Sequence, residues 1–352
     1  MCPAAILAPS NAGKTTILTM LKDAALEYNQ EHLQWEDKEK GLEQPRDFAF
    51  REDNLAQRIL IEYHTDLIKG KLPRHQESEE KYQLNTSYGF RRVWTKYFEG
   101  VITRAKFIYR VVRFSTWDIA GEDVSAFVRD YVEHDGKPGD DEKGMEEILR
   151  CNVIVFVIDG DVLEESDTPV DKNFQRKLDY DSHMTSLIRA IGTFREKRKL
   201  RGEVYPIMVI HKLDKLKAII PTLQVPPDLR PATYPPPGPV IGKPNEKKVE
   251  RVRKAYSEAL LARFLPNFHA ALAGEELGKL GLRFDQYKVF FSYLQMDSSK
   301  LGADPHPIFR QTKTGRNSFE YSEDEYRGIL EYLGSLADKV GEYEHTNKLA
   351  KA

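Results

Sequence analysis

Near the start of the chain, "APSNAGKT" (residues 8–15) sets small and turn-forming residues between an apolar run and Gly13-Lys14-Thr15-Thr16. Such residues suit a loop that grips phosphate. With little side-chain bulk in the way, the N–H groups of Asn11, Ala12, Gly13, Lys14, Thr15 and Thr16 can curl around a phosphate, and the following helix turns its positive end to the same point. Lys14 then reaches the β- and γ-phosphates, the Thr15 hydroxyl is placed to coordinate Mg2+, and Thr16 adds an α-phosphate contact. The bland alternative is a strand–turn–helix with a chance Gly-Lys-Thr. The apolar "AAIL" (4–7) before the loop and the helical "TTILTMLKDAAL" (15–26) after it supply the context that phosphate binding requires.

Three later stretches carry chemistry in the same sense. In "FSTWDIAGED" (114–123), Asp118 closes an apolar run and Gly121 follows it. A carboxylate there holds Mg2+ through water, and a glycine N–H touches the γ-phosphate, so the loop responds when that phosphate leaves. In "VIHKLDKL" (209–216), the Lys212 stem can cover a base plane and Asp214 can accept from the N1–H and 2-amino group of guanine. Adenine offers neither donor, so a carboxylate selects guanine. In "FFSYL" (290–294), Ser292 and the Tyr293 N–H are placed to touch Asp214 and guanine O6.

The elements that must position these residues are legible as short apolar runs: 4–7, 107–114, 152–158, 204–210 and 287–293. Runs apolar throughout suit strands buried on both faces of a parallel sheet. Amphipathic patterns over 54–72, 174–194, 246–265 and 322–340 predict helices between and after them, the last opening with Ser322 and Glu325 in capping-box spacing. Strands alternating with helices predict an α/β, doubly wound, mostly parallel sheet flanked by helices.

The order of phosphate loop, D-x-x-G, x-K-x-D and strand-end serine resembles the Ras-like, TRAFAC-class P-loop GTPases. "WDIAGED" (117–123) looks much like their switch II, and the helix at 54–72 is similar to one in prokaryotic GTPase-like proteins of conflict and signalling operons. The resemblance implies a Ras-like P-loop NTPase domain over 1–295 with insertions at 28–80, 132–146 and 221–244, and a C-terminal loop and helix over 296–352 packed on that domain. It implies GTP/GDP and Mg2+ as ligands and a GTP-hydrolysing molecular switch. Lys14, Gly121 and Glu122 are then the catalytic candidates, and Thr15, Asp118 and Ser78 the candidate metal ligands.

The departures bear on rate and specificity. Ala8 replaces the first loop glycine, His211 the usual Asn or Thr, and Tyr293-Leu294 the usual Ala-Lys. Glu122 stands at the water-orienting glutamine, where its charge disfavours the transition state and implies slow or partner-stimulated hydrolysis. Two other readings stay open: a GTP- or GDP-binding assembly module with little turnover, and a P-loop ATPase or kinase.

Composition narrows the classes. A 352-residue chain with 40% hydrophobic and 31% charged residues can fill a globular core. A net charge of −2 gives no sign of a nucleic-acid surface, and Cys2 and Cys151 alone cannot make a disulfide framework. The longest apolar run, "VIVFVI" (153–158), is too short for a membrane span. The expectation is a cytoplasmic protein whose charged insertions and proline-dense segment, 221–244, are surfaces for a protein effector or regulator; pairing of two copies across the nucleotide stays open.

Overall fold

The computed structural model describes residues 2–9, 12–14, 16–17, 19–21, 23–24, 27, 94–103, 109–118, 150–163, 172–197, 199–200, 203–230, 237–241, 243–274, 284–297, 306–312, 315, 317–333 and 335–336. The helix expected over 54–72 and the insertions at 28–80 and 132–146 lie outside these residues.

Six strands form the central sheet: β1 (Cys2–Leu7), β2 (Trp94–Thr103), β3 (Tyr109–Asp118), β4 (Val153–Asp159), β5 (Tyr205–His211) and β6 (Lys288–Phe291). Their order is β2-β3-β1-β4-β5-β6. All neighbours are parallel except β2 and β3, a hairpin in register from Trp94 opposite Asp118 to Thr103 opposite Tyr109. The hairpin carries the strand expected at 107–114 on to residue 118. Its partner β2, "WTKYFEGVIT", has no continuous apolar run, because a strand at the end of the sheet need not be apolar on both faces.

The central strands divide their side chains between two cores by simple alternation. In β4, Ile154, Phe156 and Ile158 enter one core, and Val153, Val155 and Val157 the other. The first core is closed by α2 (Lys172–Lys197), α3 (Glu246–Phe264) and α4 (Pro266–Leu272), with Phe156 edge-on to Phe268 at 6.0 Å. The second holds Ile17, Met20 and Leu21 from the helical positions over 14–27 (α1), and Tyr326, Ile329 and Leu333 from those over 323–336 (α5). Helices on both faces of a mostly parallel sheet, with a loop-to-helix turn after β1, make this the α/β P-loop NTPase fold.

Local details depart from expectation for identifiable reasons. The helix expected to run to 265 stops at Phe264, and Pro266 opens α4 instead. The amides of Asn267 and Phe268 at that start donate to the buried Asp181 carboxylate of α2, at 3.1 and 2.8 Å, a capping arrangement worth about 1 kcal/mol. The described part of the proline-dense segment lies on the domain: Leu223 and Val225 are buried, the Pro237 carbonyl accepts from Arg253 at 2.7 Å, and Pro239 fills the space that a Cβ on Gly328 would take. The capping-box residues also act elsewhere. Ser322 Oγ accepts the Tyr293 N–H at 3.0 Å, and Glu325 turns inward to Arg253 and to the Phe291 N–H.

Candidate functional site

Parallel strands place all their carboxyl ends on one edge of the sheet, and a ligand site opens where the chain order reverses. Here the reversal is at β1, between β3 and β4. That edge collects the loop after Leu7, Asp118 at the end of β3, Asp159 at the end of β4, His211 at the end of β5, and Ser292 just after β6. Asp118 pairs in register with Ile6, so its backbone lies directly beside the start of the phosphate loop.

Gly13 has φ +86°, a left-handed backbone that glycine adopts without steric cost. A Cβ there would also lie 2.5 Å from His211 Cδ2, so glycine is required twice over. The Ile17 N–H then donates to the Gly13 carbonyl at 2.9 Å and starts α1. Ala12 is buried, and Thr16 is half-buried on the first turn of α1. The Lys14 ammonium is held inside the loop, donating to the carbonyls of Ala8 at 2.9 Å and Pro9 at 3.1 Å. Its charge also reaches His183 of α2: burial, then Lys14, lowers that imidazole to about 4 and keeps it neutral.

The other half of the site is built on β5 and β6. His211 is fully buried, with Nδ1 2.9 Å from Ser292 Oγ and its ring against Gly13. Burial, reinforced by the Lys212 charge, lowers it to about 3, so it is a neutral brace between the phosphate loop and the loop after β6. Lys212 adopts the left-handed backbone, φ 57° and ψ 44°, and its ammonium lies 2.9 Å from Asp159 and 2.5 Å from Asp161. These carboxylates hold its charge on, even against burial. Gly160 is pressed on the same turn: its N–H donates to the His211 carbonyl at 2.9 Å, and a Cβ would lie 2.6 Å from the Lys212 carbonyl.

Asp214 follows on a short 3-10 turn, half-buried, with no hydrogen-bond or ion-pair partner among the described residues. The Leu213 N–H donates to the Ser292 carbonyl at 3.0 Å, which ties this turn to the loop after β6. Ser292 thus meets His211 rather than Asp214, and the Tyr293 N–H goes to Ser322.

The structure therefore brings Ala12, Gly13, Lys14, Thr16, Lys212, Asp214, Ser292 and Tyr293 to one edge of the sheet. Asn11, Thr15, Ser78, Gly121 and Glu122 lie outside the described residues. Among the described residues, no group of three or more His, Cys, Asp and Glu is arranged to hold a metal ion. Sequence reasoning passed over Asp159, Asp161 and His183, and took Ser322 only as the cap of a helix. Asp159 carried a usable signal: like Asp118, it is an acidic residue closing an apolar strand. His183 carried none, being a single polar position on a helical pattern.

Among the described residues no helix is long and apolar enough to cross a membrane. Neither a protein-family model nor a curated protein sequence matches this chain. Among solved structures, the signal recognition particle receptor SRb-GTP/SRX complex from Chaetomium thermophilum is similar at 10% identity, with 83% of this chain and 93% of that chain covered and a TM-score of 0.33. The fold assignment rests on the strand order and on the loop that follows β1.

Proposed function

We propose that this chain binds GTP and GDP at the carboxyl edge of its sheet and works as a slow GTP-hydrolysing switch of the Ras-like, TRAFAC type. One observation supports this reading above the others. Gly13 of the phosphate loop packs against His211, which immediately precedes Lys212 and lies three positions before Asp214. A diphosphate on the Lys14 side and a base on the Asp214 side are then the two ends of one ligand. Lys14 binds the β- and γ-phosphates, the Lys212 stem covers the base, and Asp214 accepts from its N1–H and 2-amino group.

Gly13 turns the chain in a left-handed backbone without a Cβ of its own, which suits close approach of a polyphosphate. Thr15, Asp118 and Ser78 are the residues proposed to hold Mg2+, whose contribution is to neutralise phosphate charge. Gly121 is proposed to meet the γ-phosphate and Glu122 to orient water. A protein regulator acting on the charged insertions belongs to the same reading.

Calorimetry with the purified chain tests it: GTP and GDP bind, and ATP binds at least tenfold more weakly. Equal or tighter binding of ATP overturns the assignment. Glu122 in place of glutamine favours a second reading, a nucleotide-binding module with little turnover. Single-turnover phosphate release separates the two, since a switch releases phosphate and loses that activity in Lys14→Ala.

A further inference from the structure

The turns that end β4 and β5 are fastened to one another at the edge of the sheet where the site lies, through the Gly160 N–H and the His211 carbonyl. The Asp161 N–H donates to Asp159 Oδ1 at 3.0 Å, which folds the second carboxylate back beside the first. Asp159 is fixed from behind: its N–H donates to Tyr180 Oη at 3.1 Å, the Tyr180 hydroxyl donates to the Val157 carbonyl at 2.8 Å, and Arg176 lies 3.4 Å from Asp159 Oδ2. The Lys212 ammonium is seated in this turn, 2.9 Å from Asp159 Oδ1 and 2.5 Å from Asp161 Oδ2. Lys212 is held at its root as well. Its left-handed backbone costs free energy in a residue with a side chain and persists where surrounding contacts over-determine it. Directly after it, the Leu213 N–H donates to the Ser292 carbonyl at 3.0 Å.

We infer that Asp159 and Asp161 are positioning residues of the base site: they anchor the Lys212 ammonium so that its stem is set for the base plane before a nucleotide binds. The inference rests on the proposed guanine site and adds to it two residues from a different strand end. A free lysine samples many rotamers, and laying its stem along a ligand costs that freedom on binding. Here tip and root are both fixed in the protein itself, so the methylene stem between them is presented in one arrangement. Asp161, 31% exposed against 1% for Asp159, is the member that can be changed without opening the core. An ion pair as exposed as Lys212–Asp161 contributes little to folding. Its effect on nucleotide binding can therefore be read apart from stability.

The test is calorimetry of GTP and GDP on the full chain, arranged as a double-mutant cycle. The two nucleotides share a base and differ at the γ-phosphate, so a residue that acts at the base end moves both alike. Asp161→Ala should weaken GTP and GDP by the same factor, about threefold to tenfold, with the urea unfolding midpoint nearly unchanged. Lys212→Met keeps most of the stem and removes the ammonium. In that background Asp161→Ala should change either affinity by no more than about 1.5-fold, because nothing is left to anchor. A loss confined to GTP places Asp161 at the γ-phosphate end. An undiminished loss in the Lys212→Met background means that Asp161 meets the nucleotide itself. No loss at all leaves the carboxylate without a part in binding, and a loss matched by a fall in the urea midpoint is an effect on folding. Each of these four results overturns the inference and leaves the guanine site standing. Failure of GTP to bind the unmodified chain overturns the guanine site and the inference together.

Discussion

Two clusters of charge in this molecule look alike on paper and differ in how completely they are satisfied. Behind β6, Arg253 and Glu325 form an ion pair whose side chains are 4% and 10% exposed. Arg253 spends its N–H groups on both Glu325 oxygens, the Val289 carbonyl and the Pro237 carbonyl, and Glu325 also accepts the Phe291 N–H. At the site, Lys212 and Asp161 are 27% and 31% exposed. Their neighbour Asp214 has no partner among the described residues. A charge that serves the fold is closed on all sides, since an open valence in the interior is costly. On the proposed reading, a charge that serves recognition keeps an acceptor in hand. The difference predicts which substitutions disturb folding and which disturb ligand choice.

The largest effect should come from breaking the closed cluster. Glu325→Ala strands Arg253 in the interior and should cost about 3–5 kcal/mol of stability, read as a lower midpoint in urea unfolding, with the order of nucleotide preference kept in whatever fraction stays folded. Acid strikes the brace between the two halves of the site. His211 is held neutral down to about 3, whereas an unfolded histidine takes its proton near 6.5. Below 6.5 the unfolded chain binds a proton that the folded chain refuses, so stability falls as pH falls. From pH 6.5 to 5 the loss should be about 2 kcal/mol from His211, and His183, also held neutral, adds a fall of the same sign and similar size, so His211→Asn should remove about half of the combined slope.

Asp159→Ala lies between the two kinds of cluster. It removes a buried acceptor from the Asp161 N–H and an ionic partner from Lys212, at about 1–3 kcal/mol of stability, and it should also weaken nucleotide binding by loosening Lys212. The smallest effect on folding belongs to Asp214→Asn, within about 0.5 kcal/mol, yet it should lower GTP affinity at least about tenfold and shift preference toward xanthine nucleotides. If Asp214→Asn destabilised the fold as much as Glu325→Ala, the distinction between the clusters would be lost.

The β4 strand was legible because every one of its side chains is buried, which writes an unbroken apolar run into the sequence. The edge strand β2 was not, since it lacks such a run. The turn after β1 was legible because it depends on local residue types, with Gly13 in a left-handed backbone. The expectation for Ser292 came by analogy, which set it against Asp214; its hydroxyl is joined instead to His211, 81 positions away. Ser322 and Glu325 show the same limit. Their spacing satisfies a local rule, and long-range partners outbid it.

What the sequence by itself determined was the alternation of buried strands and amphipathic helices and the small-residue loop at 8–15, because these follow from burial and backbone sterics over a few neighbouring positions. Only the tertiary structure decided that Gly13 lies against His211, that Ser322 takes the Tyr293 N–H and that Asp214 stays without a described partner. The reason is that hydrogen bonds are claimed by whichever groups the packed chain brings within reach, and that competition is settled across the fold rather than along the sequence.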